Sequence, residues 1–210
     1  MASGTVKVDA EKLAEAKRAL SEIKNGIETA LMRSINRALS TANTEAARGI
    51  AAEVNLTQKV IKQNFSLTQA AISRLTGKFR SSGRPVPLIN YGARQTNTGV
   101  SVQVKKARPR KVLPYTFLAT MGSGHQGVFQ RKRHRGEGKP IGNTAKLFMN
   151  FPANWPKQYR LPIEEMFGPR VEDILSNDPV LNPVLDEAGK TINERLEHET
   201  EYILEKARNA

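Results

Sequence analysis

The sequence predicts an α+β fold in which long N-terminal helices and a C-terminal helix pack on a small antiparallel sheet with long basic loops. Apolar residues recur at steps of three and four near both ends of the chain, which is the helical period. In the middle the period shortens to two, and turn residues separate the segments. We therefore expect one domain over residues 1–210, with a helical part (1–66), a basic β-rich part (67–163, with a long insertion at 131–159) and an acidic helical part (164–210).

The N-terminal part has the pattern of a long helix with a break. Apolar residues follow the helical period over residues 13–38, and Asp9 is placed to cap the first turn. The helix-compatible stretch covers roughly forty residues, which is long for a globular domain. Glycine inside a helix costs about 1 kcal/mol relative to alanine. We therefore expect a break near Gly26 or Gly49.

The middle of the chain has the pattern of an antiparallel sheet of three to five strands. From Val100 onward, valine alternates with polar residues, which predicts one buried and one exposed face. Residues 96–99 (Thr-Asn-Thr-Gly) are typical of a turn, because Asn and Gly accept positive φ. We expect residues 88–94 and 100–106 to pair across this turn as a hairpin.

The last part of the chain returns to helix after a turn at Gly168 and Pro169. A short helical piece, VEDIL, should follow, and an amphipathic helix with an acidic polar side should start at Pro183. The apolar residues of this helix are predicted to form a subunit interface: Leu185, Ile192, Leu196 and Ile203.

The charge of the chain is unevenly distributed. The total is +13, but residues 1–58 carry +1, residues 59–160 carry +19 with Glu137 as their single carboxylate, and residues 161–210 carry −7. Such a basic stretch must face a polyanion, an acidic protein surface or solvent. Two turn-rich loops concentrate the cations that are predicted to face DNA or a central channel: Lys105, Lys106, Arg108, Arg110, Lys111, Arg131, Lys132, Arg133 and Arg135.

The composition favours neither an enzyme nor a metalloprotein. There is no cysteine, and the three histidines are not in metal-binding spacings. The glycine-rich run at 121–127 lacks the Lys-Ser/Thr ending of a phosphate-binding loop, so we expect a connector between two strands. We expect no cofactor. No apolar run approaches the roughly 20 residues that span a bilayer, so we expect a soluble protein that is made in the cytoplasm and does not bind membranes.

Three blocks of the sequence resemble a known family. The blocks are PVPLINYGARQTNTGVSVQV, FLATMGSGHQGVFQRK and LPIEEMFGPRV, and the most specific feature is the Met of the second block followed by Gly-His-x-Gly-Val-Phe-x-Arg. They are similar to the phage minor tail protein Z family of lambda-like phages and prophages, and the resemblance extends over residues 27–207. The stretch 131–159 is longer than the usual link between the second and third blocks, and it has the length to wrap a neighbouring subunit.

The resemblance implies a virion protein that acts late in tail assembly. It implies tail completion and head–tail joining by a ring, sixfold in the expected case, beside the tail terminator, the tail tube and the head–tail connector. It brings no catalytic residues. Combined with the charge, it suggests that basic loops face the channel and position the end of the double-stranded DNA genome. The alternatives are a free, sequence-nonspecific nucleic-acid-binding protein, a structural protein of the tail tip and, least favoured, a hydrolase.

Overall fold

The computed structural model describes residues 4–131 and 163–209, and it confirms the α+β fold. The chain forms two compact units that are interleaved along the sequence. We call them the helical unit (Met1–Ile50, Ile61–Gly83 and Val171–Ala210) and the β-rich unit (Ala51–Val60 and Arg84–Arg170). Their boundaries differ from those of the three expected segments, because each unit collects pieces that are distant in sequence.

The helical unit contains the long helices at both ends of the chain. They are α1 (Ala10–Ala19), α2 (Gly26–Glu53, of which the last three residues belong to the β-rich unit), the short α4 (Val171–Leu175) and α5 (Asp178–Arg208). The predicted cap of α1 is confirmed, since the Asp9 side chain accepts a hydrogen bond from the Glu11 backbone amide at 2.8 Å. The expected break is also confirmed. It covers residues 20–25, directly before Gly26, and ends at Asn25, which has φ of 56°.

The buried side of α2 differs from the expected one. The helical period places Ile27, Leu31 and Ile35 on one apolar face, but these residues are only half-buried. The buried line instead contains small residues at every fourth position: Gly26, Ala30, Ser34, Ala38, Ala42 and Ala46. Small side chains allow neighbouring elements to approach closely, so the larger aliphatic residues lie at the flanks of the contact.

The core of the helical unit joins its three long helices. Ala16 and Leu20 of α1, Ala30 of α2 and Leu196 of α5 form one buried cluster. The Asp9 backbone amide also donates to the Asn193 side-chain oxygen at 3.0 Å, which fixes the start of α1 on α5. Helix α5 starts at Asp178, earlier than predicted, and includes Pro183.

The helical unit also contains a two-stranded hairpin. Strands β1 (Phe65–Thr68) and β2 (Lys78–Ser81) pair antiparallel. These two strands form a sheet of their own, separate from the sheets of the β-rich unit. The short helix α3 (Gln58–Lys62) precedes this hairpin, and the boundary between the two units falls within it in sequence.

Three further small antiparallel sheets make up the β-rich unit, in place of the single sheet that we expected. They are β3 (Pro85–Pro87) with β10 (Phe167–Arg170), then β4 (Arg94–Gln95), β5 (Gly99–Val102) and β6 (Lys111–Pro114), then β7 (Thr116–Thr120), β8 (Gln126–Arg131) and β9 (Ile163–Glu165). Residues Leu88–Tyr91 form a 3₁₀ helix, so the predicted hairpin is shorter and pairs β4 with β5. The expected turn at Gly168 and Pro169 is wrong, since both residues lie within β10.

Gly168 is needed in β10 because it faces a buried tyrosine. A Cβ at this position would lie 2.5 Å from the ring of Tyr91. The Tyr91 hydroxyl donates to the carbonyl oxygen of Pro169 at 3.2 Å, and its ring is fully buried. Burial raises the pKa of Tyr91 to about 12, because the phenolate would lose its hydration. The Gly-Pro pair thus serves packing rather than a turn.

Candidate functional site

The first predicted basic loop links β5 to β6, and backbone hydrogen bonds hold it in place. The Lys106 amide donates to the Glu53 carbonyl at 3.0 Å, and the Asn55 amide donates to the Val104 carbonyl at 2.9 Å. The Gln103 side-chain amide donates to the carbonyl oxygens of Lys106 and Arg108 at 3.3 and 3.1 Å. The loop is therefore held on both sides, and its cations project from a fixed backbone.

Four cations are exposed here, three in the loop and one at the start of β6: Lys105, Lys106, Arg108 and Lys111. Within the described part of the chain, no carboxylate lies within ion-pair distance of these four cations. Such a cluster attracts any polyanion. Each of the four cations therefore remains available to a carboxylate, a phosphate or solvent.

Arg110 differs from these four cations because it is half-buried and forms hydrogen bonds within its own unit. Its guanidinium donates to the Ser101 hydroxyl at 3.1 Å, to the Ser101 carbonyl at 2.9 Å and to the Gly92 carbonyl. Its planar fork thus joins β5 to the end of the 3₁₀ helix. The contact also explains why Ser101 is buried, although the alternating pattern predicted that it faces solvent. Arg110 is a structural residue of the loop.

Two glycines are required by this arrangement. Gly92 has φ of 63°, a left-handed conformation that glycine adopts without strain. Gly99 has no positive φ, contrary to our prediction for the turn, but a Cβ there would lie 1.9 Å from the Leu113 carbonyl oxygen. The glycine therefore allows β5 and β6 to approach each other.

The second predicted basic stretch is largely outside the described residues. Arg131 is the last residue of β8 and pairs with Ile163 of β9. Lys132, Arg133 and Arg135 lie outside the described residues, as does the rest of the insertion at 131–159.

The predicted interface residues of α5 lie mainly in the core of the chain itself. Ile192 and Leu196 are buried, and Ile203 packs half-buried on the same cluster. Leu185 is half-buried beside Gly4, where an added Cβ would lie 2.6 Å from its methyl groups. These side chains pack within the chain because the N-terminal segment, α1 and α2 already cover this side of α5. An interface on α5 would have to use its exposed acidic side.

Sequence reasoning missed a pairing of histidine with a carboxylate. The connector between β7 and β8 was predicted correctly, and in it His125 Nε2 lies 2.9 Å from Glu165 Oε1 of β9. The histidine ring is 49% exposed and contacts the edge of Phe129. No local signal could have shown this pair, since its members are 40 residues apart. Among the described residues there is no group of three side chains suited to bind a metal ion, and no helix is both long and apolar enough to cross a membrane.

The division into units shows where the charge lies. Counted on the sequence, the β-rich unit has 17 Lys and Arg against 4 Asp and Glu, a net +13. The helical unit has 16 of each sign, a net charge of zero. The whole formal charge of the chain therefore belongs to the unit that carries the anchored basic loop.

Comparison with known proteins identifies the family. The model of the prophage minor tail protein Z family matches residues 11–171, about three quarters of the chain. The chain belongs to this family. No curated protein and no solved structure matches it. As a phage minor tail protein it has a structural role in the tail, and the anchored basic loop is the candidate functional surface of this tail protein.

Proposed function

We propose that the protein forms a ring at the head-proximal end of the tail, where its basic loop faces the end of the genome. In this proposal the ring is sixfold and contacts the tail terminator, the tail tube and the head–tail connector. It helps the tail to join the head and positions the double-stranded DNA that enters the tail. The role is structural and needs no chemical step.

The observation that supports this proposal is the anchored loop with the start of β6, whose four exposed cations have no carboxylate partner among the described residues. Lysine and arginine contact phosphates and thereby position a protein on DNA without reading its sequence. The loop contains no helix that could enter the major groove, which agrees with contact to backbone charge alone. Because the backbone of the loop is held by hydrogen bonds, little conformational entropy would be lost on binding.

DNA binding by the purified protein tests the role of the loop. Binding of double-stranded DNA should weaken steeply with salt, since each phosphate contact releases counterions. The double variant Lys106→Gln/Arg108→Gln should reduce the slope of log K against log salt by roughly 1 for each phosphate that is no longer neutralised. The matched control Lys17→Gln/Lys24→Gln removes two exposed cations from the helical unit and should leave the slope unchanged. Equal slopes for the loop variant and the wild type would contradict the proposal.

Electron microscopy of particles tests the position in the tail. A gold label on a tagged copy should appear at the head-proximal end of isolated tails. Phage that carries Lys106→Gln/Arg108→Gln should accumulate separate heads and tails, because the joint lacks its contact to the genome end. A label at the opposite end would support the tail-tip alternative, and a normal yield of infectious particles from the variant would refute a role of the loop in joining.

A further inference from the structure

The β1–β2 hairpin has an exposed basic face. Ser66 pairs with Arg80, and Thr68 pairs with Lys78. Residues that are directly opposite in an antiparallel pair share one face of the sheet. All four side chains are exposed. The face therefore presents two cations beside two hydroxyls, which can donate hydrogen bonds to a carboxylate.

Contacts with α2 hold this hairpin in place within the helical unit. Asn36 of α2 donates to the Ala70 carbonyl at 3.1 Å and accepts from the Ala70 amide at 2.8 Å. Gly77 lies so close to α2 that an added Cβ would be 2.5 Å from a methyl group of Leu39. On the other side of the hairpin, the rings of Phe65 and Phe79 are 4.7 Å apart. The basic face is thus presented in a defined orientation.

The cations of the hairpin have no anionic partner among the described residues. Residues 61–83 include four Lys and Arg but no Asp or Glu. No described carboxylate forms a salt bridge with Lys78 or Arg80. The charge of this face remains available to a partner.

The last turns of α5 carry several carboxylates, which precede Lys206 and Arg208 of the final turn. Glu197 and Glu199 are paired with Lys12 and Arg33 of the same chain. Beyond them, Glu201 and Glu205 are exposed and form no salt bridge with the described residues.

Their spacing favours a basic partner. Positions 201 and 205 are four residues apart, so both carboxylates lie on one side of the helix and repel each other. Tyr202 beside them is 48% exposed. A cationic partner would relieve the repulsion of Glu201 and Glu205 and could cover part of the Tyr202 ring.

The helical unit is neutral as a whole but separates these charges, with cations on the hairpin and free carboxylates at the end of α5. Because the unit has no net charge, its long-range field does not attract DNA, and a local acidic partner is favoured. We propose that the β1–β2 hairpin of one copy binds the end of α5 of the next copy, with Lys78 and Arg80 facing Glu201 and Glu205. The two surfaces differ, so the contact is head-to-tail and can continue around a ring. This inference rests on the self-association in the proposed function and names its interface.

Sedimentation across protein and salt concentrations tests the interface. At low salt the wild type should exceed the 23.2 kDa of one chain, and at high salt it should return to that mass. Lys78→Glu/Arg80→Glu (the hairpin variant) and Glu201→Lys/Glu205→Lys (the helix variant) should each weaken association by more than about tenfold, because like charges then meet.

Mixing the two variants is the decisive step. In the mixture both contacts between unlike variants are attractive, reversed hairpin with reversed helix end and unchanged hairpin with unchanged helix end, while contacts between like variants are repulsive. An equal mixture should therefore recover assemblies of the wild-type size, in which the two variants alternate, although each variant alone associates weakly.

Two controls separate this effect from net charge and folding. Lys17→Glu/Lys24→Glu changes the charge as the hairpin variant does, and Glu15→Lys/Glu22→Lys changes it as the helix variant does, at exposed positions outside both surfaces. Both should associate like the wild type, and all four variants should retain its circular dichroism.

Four results would overturn the proposed interface. The first is a mixture of hairpin and helix variants that stays monomeric. The second is a loss of association in the controls as large as in the variants. The third is a hairpin variant that associates normally but loses DNA binding, which would assign the face to nucleic acid. A wild type that stays monomeric at every concentration would also reject it, while the gold-label position and the DNA test of the basic loop would stand separately.

Discussion

Replacing Arg110 by methionine tests whether this residue is structural or faces DNA. Methionine keeps an unbranched apolar side chain but removes the guanidinium. The wild-type guanidinium donates three hydrogen bonds, two to Ser101 and one to Gly92. Their loss leaves three acceptors without this donor.

The expected loss of stability follows from these hydrogen bonds. A hydrogen bond contributes about 1 kcal/mol net, which gives an upper value of about 3 kcal/mol for three bonds. Arg110 is only half-buried, so water can replace part of the loss, and we expect a decrease of about 2 kcal/mol in the free energy of unfolding. In a chain of this length each kcal/mol corresponds to about 2–4 °C, so the midpoint of thermal unfolding should fall by about 4–8 °C.

Two measurements on the same variants decide the question. Arg110→Met should lower the midpoint in calorimetry and leave the salt slope of DNA binding unchanged. The control Lys106→Met/Arg108→Met should lower the slope and change stability by less than about 0.5 kcal/mol for each substitution. The reasoning would be refuted by an unchanged midpoint in Arg110→Met together with a reduced salt slope, because Arg110 would then contact DNA rather than Ser101.

Three other changes test the packing. Gly99→Ala should lower the free energy of unfolding by about 3 kcal/mol or more in a denaturant titration, since its Cβ would meet the Leu113 carbonyl oxygen at 1.9 Å; an unchanged value would mean that β5 and β6 pair differently. Burial raises the pKa of Tyr91 to about 12 from an ordinary value near 10, so the protonated form stabilises the fold below pH 10 and this contribution is lost as the pH rises toward 12. The free energy of unfolding of Tyr91→Phe should lack the part of the decrease between pH 10 and 12 that comes from ionisation of Tyr91. Identical profiles of stability against pH for the variant and the wild type would contradict this explanation. Leu196→Ala should cost about 3–5 kcal/mol and the half-buried Leu185→Ala clearly less, so equal losses would argue against the described core.

The candidate site was predictable in part. The loop at 105–111 was evident from its charge and its turn residues, and the structure confirms that it is a connection between strands with exposed cations. The role of Arg110 was not predictable, because its acceptors lie 9 and 18 residues away and no local pattern marks them. The burial of the predicted α5 interface residues within the same chain was not predictable for a similar reason. An apolar stripe shows that a helix side is covered but not whether the cover comes from the same chain.

The sequence by itself determined what depends on near neighbours. The helical period, the cap at Asp9, the break before Gly26 and the segregation of charge follow from residues within a few positions of each other. Tertiary structure decided which side of α2 is buried, why Gly99 and Gly168 must be glycine, and how strands form several small sheets instead of one. The physical reason is that burial and close approach depend on partners far along the chain. A Cβ is tolerated or excluded only by the atoms that the fold brings next to it.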